Sequence, residues 1–154
     1  LPIAKRDVVK GKYQFTAFIE LAGFAVMAVL TLVRMTVLAD AVIYRHNALM
    51  NANLFFLGCV LLIFGLFNAI FLGGFLKTAY KLGKYFVIFI AVCFVVIFLA
   101  EAAHHVPGLG ALNAFGFDHI GLQLLTLLAG AAAFVALTFL SYNKACKDFE
   151  RIDL

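Results

Sequence analysis

The chain has 154 residues, 66% of them hydrophobic and only 13% charged, with a formal net charge of +4. Soluble domains run at about 45–50% apolar and about 25% charged, so this balance excludes a water-soluble globular core. It also excludes a disulfide-framed secreted domain, since the cysteines are only three and two of them, Cys59 and Cys93, lie inside apolar runs.

In chain order, the opening segment predicts a short amphipathic helix over residues 1–11. Pro2 suits its first turn and Gly11 its end. Leu1, Ala4 and Val8 recur at helical spacing, with Lys5 and Lys12 on neighbouring positions. So short a helix needs a surface to lie on. That surface is either acidic lipid, as for an interfacial anchor, or a cytoplasmic partner protein.

Four apolar runs follow, over residues 13–37, 48–76, 85–103 and 120–142. Crossing a hydrocarbon core of about 30 Å takes about 20 apolar residues in a helix, and each run is near or above that length. The predicted fold class is therefore all-α, a single transmembrane helical bundle with four spanning helices in this chain. A tail over 143–154 completes it.

The charges between the runs set an orientation. Lys5, Arg6, Lys10 and Lys12 precede the first run, Lys77, Lys81 and Lys84 lie between the second and third, and Lys144, Lys147 and Arg151 follow the fourth. These ten face one side, against Arg34 and Arg45 on the other. Positive charge is retained in the cytoplasm, so both ends of this chain are expected inside and segments 38–47 and 104–119 outside. Anionic inner-leaflet lipid accounts for the basic excess, and no nucleic-acid partner is needed.

Polar residues within the runs are the candidate pathway residues, because hydrocarbon penalises them and they turn toward protein or water. Glu20 reads as a structural acceptor, a contact for a cationic substrate, or a proton-titrating carboxylate. Asn68 and Gln123 read as interhelical hydrogen-bond partners or as substrate contacts. Thr31, Thr126 and Thr138 are expected to bond their own helix backbone. Gly121, Gly130 and the small residues 129–133 predict close helix packing. Phe55, Phe56, Phe64, Phe67, Phe71 and Phe75 run through the second span as packing surface or as an apolar lining.

Toward the outer side, Glu101, His104 and His105 share one side of a continuing helix, and Asp118 and His119 follow beyond a loop holding Pro107, Gly108, Gly110 and Gly116. Imidazoles with carboxylates are zinc-ligand types. A polar membrane boundary explains them equally, so they are weak metal candidates and the expectation is no metal. None of the four histidines lies mid-span, which argues against a haem-carrying cytochrome. The chain also lacks a G-x-x-x-x-G-K-[ST] phosphate loop, so it does not bind ATP by that device.

Three stretches carry a family resemblance. Leu1-Pro2-Ile3-Ala4-Lys5-Arg6-Asp7-Val8-Val9-Lys10-Gly11-Lys12-Tyr13 resembles the L-P-hydrophobic-S-R/K-x-x-I/V-V-x-x-K-Y signature of bacterial ABC-2-type transporter permeases. Phe75-Leu76-Lys77-Thr78-Ala79-Tyr80-Lys81-Leu82-Gly83-Lys84-Tyr85 is similar to that family's F-x-x-G-Y-x-K-x-R-Y link. The stretch from Leu140-Ser141-Tyr142 through Phe149 to Asp153 looks like its ending, L-S-Y-x-x-S-x-x-x-F/Y-x-x-x-D. The matches fall in family order. Gly73-Gly74 stands where members often carry a Pro, Ala79 replaces a usual Gly, and Ala145 a usual Ser.

The resemblance implies a six-span protein of which this chain supplies the last four, with a first pair upstream of Leu1. It implies a permease subunit of an ATP-driven exporter in the bacterial cytoplasmic membrane, pairing with a second permease subunit as a homo- or heterodimer. A separate ATP-binding subunit would carry ATP and Mg²⁺; no cofactor and no catalytic residue is expected in this chain. The coupling helix would present Leu1, Ile3 and Val8 to a groove of that ATPase, with Lys5 and Arg6 on its acidic rim. Two alternatives remain: a proton-coupled four-span multidrug transporter using Glu20, and a non-transporting membrane assembly subunit.

Overall fold

A computed structural model describes residues 4–41, 49–103 and 105–152 of the chain. Leu1, Ile3, Arg45 and His104 lie outside the described residues. Four helices are long and apolar enough to cross a membrane: α1 (Lys5–Thr36), α2 (Leu54–Lys77), α3 (Gly83–Ala103) and α4 (Ile120–Glu150). Among the described residues there is no strand.

Their bounds depart from the apolar runs at both ends, for a different physical reason at each. Gly11 does not end a helix: α1 runs unbroken through it for 32 residues, about 48 Å. A glycine inside a helix costs only about 1 kcal/mol. That cost is outweighed because Val9 and Tyr13 are buried against Ala145, Cys146 and Phe149 of α4 and Leu72 and Leu76 of α2. By the same contacts the segment after residue 142 stays helical to Glu150 rather than leaving as a separate tail. At the opposite end the second helix starts later than its apolar run. Asn53 has extended φ and ψ, and its side-chain carbonyl accepts the Phe56 N–H at 3.1 Å, an N-cap that places the first turn at Leu54.

α2 lies at the centre. It packs most extensively on α4, where Gly58 and Gly130 bring the two backbones together, and it also meets α1 and α3. α3 has no fully buried residue. It is held from one side by aromatic contacts, Phe67 with Phe89 at 5.3 Å and Phe71 with Phe86 at 5.9 Å between ring centroids. Its other faces, with Phe94 and Phe98, and the outer face of α1, with Phe18 and Val29, are exposed apolar surface suited to lipid. The phenylalanines of the second run that make ring contacts are thus packing surface.

The link between α2 and α3 accounts for Gly74 and sets a backbone at Ala79 that glycine would suit better. A Cβ on Gly74 would fall 2.1 Å from the Tyr85 ring, so the glycine is what lets Tyr85 pack there. Ala79 has φ +51 and Tyr80 φ +70, the left-handed region that glycine enters freely. An L-residue there costs roughly 1 kcal/mol. Ala79→Gly is expected to raise the thermal unfolding midpoint of the detergent-purified protein by about that free energy. An unchanged midpoint would show that this turn is not left-handed at 79.

Candidate functional site

Inside the bundle, polar side chains of three helices converge on one irregular turn. Between residues Phe67 and Leu72, α2 widens to a π-helical turn, a distortion that recurs at functional positions because it loosens the backbone ladder. Asn68 lies in it, only 1% exposed. Its main-chain carbonyl accepts the Gly73 N–H, five residues on, and also the Ser141 hydroxyl of α4 at 2.7 Å. The Ser141 proton is thereby used, so the Tyr13 hydroxyl of α1 is the donor in its 2.6 Å contact with Ser141 Oγ. Gly73 permits this approach, for a Cβ there would lie 2.8 Å from Ser141 Oγ.

The Asn68 side chain continues the chain of contacts. Its Nδ2 donates to Glu20 Oε2 of α1 at 3.0 Å and to Thr138 Oγ1 of α4 at 3.0 Å. Glu20 is 7% exposed. Among the described residues, its Oε1 and Asn68 Oδ1 are buried without a hydrogen-bond partner. Glu20 sits about 10 Å along α1 from Tyr13, well inside the apolar stretch.

Glu20 and Asn68, two of the three candidate pathway residues, are thus brought together. Gln123 is elsewhere, in the first turn of α4, about 22 Å along that helix from Thr138. It works as a cap: Oε1 accepts the Leu54 N–H at 3.2 Å while Nε2 donates to the carbonyls of Gly116 and Asp118. The Thr138 hydroxyl is engaged across the helices, accepting from Asn68. Thr126 does bond its own helix, to Gln123 O at 2.8 Å. Thr138, Ser141 and Tyr13 were missed as members of this group. Their one visible signal is that Thr138 and Ser141 are spaced i, i+3 on one face of α4.

A second polar group ties the helix ends on the side away from the lysines. Asn51 donates through its main-chain N–H to Asn113 Oδ1 at 2.6 Å and through Nδ2 to Asn113 O at 3.2 Å. Asn53 Nδ2 donates to Leu112 O at 2.9 Å. Arg34 at the end of α1 donates to Leu38 O at 2.7 Å and to Asn51 Oδ1 at 3.3 Å. Glu101 of α3 accepts the Met50 N–H at 2.8 Å. Of the two carboxylates of the weak metal cluster, that of Glu101 is therefore engaged with the backbone. His119 opens α4 in a left-handed conformation, and Asp118 offers its main-chain carbonyl to Gln123. Among the described residues no three His, Cys, Asp or Glu side chains converge as a metal site would require.

At the lysine-rich end, Lys5 and Val8 are partly buried beside the end of α4. Lys5 Nζ donates to the carbonyls of Glu150, the last residue of α4, and of Ile152 just beyond it, where a cation complements the helix dipole. Val8 packs against the buried cluster around Val9 and Phe149. Arg6, Asp7 and Lys10 remain exposed. Arg6 lines a cleft of about 440 Å³ with Asn143, Cys146, Lys147 and Glu150 of α4.

A sequence model of the family described as ABC-2 family transporter protein matches residues 1–150. The chain belongs to the ABC-2 transporter family. No curated protein and no solved structure matches it. As an ABC-2 permease it is a multi-pass membrane protein and a transport subunit, and the family associates with an ABC ATPase. In the permease, the Tyr13–Ser141–Asn68–Glu20 series is an intramembrane polar connection among α1, α2 and α4, reaching inward from the lysine-rich end.

Proposed function

We propose that this permease is the membrane subunit of an ATP-driven exporter, forming the translocation path with a second permease subunit and engaging a separate ATPase at its lysine-rich end. The orientation follows the positive-inside bias, with that end in the cytoplasm of a bacterial inner or plasma membrane. ATP and Mg²⁺ act on the ATPase, and this chain carries no catalytic step.

The observation that carries the coupling reading is that α1, at 32 residues longer than a bilayer needs, has its first turns fastened to the end of α4. Val9, Tyr13 and Phe149 are almost fully buried there and Lys5 holds the α4 carbonyls. A push on these first turns moves α1 and α4 as one body, and both carry residues of the Glu20–Asn68 group. Leu1 and Ile3 are proposed to fill an apolar groove of the ATPase. The charged contact is proposed at Arg6 and Lys10, with the Lys147 and Glu150 side of the cleft, rather than at Lys5.

Mild-detergent purification of the native protein tests this. A stoichiometric ATPase subunit is expected by mass spectrometry. The double reversal Arg6→Glu and Lys10→Glu should lower its recovery roughly three- to tenfold, because exposed pairs contribute little each and mainly steer association. Full recovery with the reversed charges would place the coupling contact elsewhere; no ATPase with the unchanged protein would overturn the reading.

A further inference from the structure

The Glu20–Asn68 contact accounts for one carboxylate oxygen and leaves the other. Glu20 forms part of the wall of a cleft of about 360 Å³ opening between α1, α2 and α3. Thr16 adds a hydroxyl to that wall, and the rest is apolar and aromatic, with Phe15, Ile19, Phe64, Phe67 and Phe89. Ligand sites of small molecules have this size and this make-up, a largely apolar cleft with a few placed polar groups. Glu20 is more than nine-tenths buried and its Oε1 has no hydrogen-bond partner among the described residues. Among the described residues no Lys or Arg lines the cleft.

A carboxylate oxygen so placed needs a donor, and the deepest gain comes from a charged one. The helix cannot supply it, because the α1 backbone N–H groups are used in the helix itself. Water is disfavoured by the surrounding rings. We infer that this cleft is a binding site for amphipathic primary amines, in which an ammonium donates to Glu20 Oε1 and an aryl or alkyl body lies among Phe15, Phe64, Phe67 and Phe89. An ammonium has three N–H donors, enough to serve Oε1 and keep a second contact. The ring faces nearby add cation–π attraction. A zwitterionic or anionic body is excluded by the apolar wall, and an aminophospholipid headgroup is excluded by depth, since Glu20 lies about 10 Å beyond Tyr13 along α1.

The site stands or falls independently of what drives the pore. The test is equilibrium binding of 4-phenylbutylammonium to the intact purified protein, with 4-phenylbutanol as a neutral probe of nearly equal shape. The amine is expected to bind saturably, and the alcohol roughly 10- to 100-fold more weakly, the factor of one charge-assisted hydrogen bond. Glu20→Gln should bring the amine down to the affinity of the alcohol. Ile19→Trp, at a half-exposed position in the cleft wall, keeps the carboxylate and fills the space; it should weaken both probes at least tenfold. Equal affinity of the two probes, or amine binding unchanged in either variant, overturns the proposal. So does absence of saturable amine binding to the unaltered protein, the result expected if another helix or a second copy covers this cleft.

Discussion

Gly130→Leu is expected to lose most of the folded protein, the largest effect of any single substitution in the bundle. A Cβ on Gly130 would lie 2.2 Å from Gly58 O and 2.7 Å from Gly58 C and Cα. All three are backbone atoms, so no rotamer change relieves the collision and the helices themselves must part. The approach is reciprocal, with a Cβ on Gly58 falling 2.6 Å from Thr126 O. One turn-pair further on, Gly65 faces Phe134 Cα at 3.0 Å from its own would-be Cβ. Small residues let transmembrane backbones meet, and packing is what holds such helices together in lipid. Overpacking costs about 1–3 kcal/mol where side chains can adjust, and backbone against backbone belongs at or above the upper end. Parting α2 from α4 also separates Asn68 from Thr138 and Ser141. The measurement is the monodisperse fraction and thermal midpoint in mild detergent, with Gly130→Ala intermediate. Gly121→Ala is the control, since no described atom lies within 4 Å of its would-be Cβ; it should cost nothing. Equal tolerance at 121 and 130 would show that the α2–α4 crossing is not where it is described.

Asn68→Leu is the second large effect, and its sign depends on what is left behind. Interhelical hydrogen bonds in membranes average only about 0.6 kcal/mol, so losing the contact to Thr138 alone is minor. Losing the contact to Glu20 is different, because it strands both oxygens of a carboxylate that is 7% exposed. A charged group left without its partner costs more than a neutral hydrogen bond contributes, about 2 kcal/mol or above. Thr138→Val should therefore cost under about 1 kcal/mol. The double variant Glu20→Leu, Asn68→Leu should recover much of the stability lost by Asn68→Leu, as replacing both partners with apolar groups often does. Strictly additive losses in that thermal-unfolding cycle would mean that Glu20 and Asn68 do not support one another. The Ser141 contact tests separately, since it uses the Asn68 main-chain carbonyl and survives any change of side chain.

Much of the architecture was legible because hydrocarbon imposes it. Four apolar runs between lysine-rich segments became four helices, and the small residue Gly130 became a close crossing. The glycines were not legible individually: Gly121 and Gly130 look alike along the chain, and only the partner helix distinguishes them. The helix ends were misplaced for a related reason. Past the bilayer, continuation through Gly11 and beyond Tyr142 depends on Val9, Tyr13 and Phe149 burying one another, a contact between segments more than 130 residues apart.

Composition, periodicity and the order of the charges determined by themselves that this chain is an all-helical membrane bundle, because each of those is a local property acting against a uniform solvent. They also singled out Glu20 and Asn68 as residues that lipid would not tolerate alone. Only the tertiary structure decided that the two are partners, that Thr138 and Ser141 complete the group, and that Gln123 belongs to a cap at the other end. In the π-helical turn over 67–72 the Asn68 carbonyl accepts the Gly73 N–H and the Ser141 hydroxyl together. Which polar atoms meet in a bundle depends on the relative rotation of helices, set by close contacts such as Gly58 on Gly130, and no periodicity within one helix encodes it.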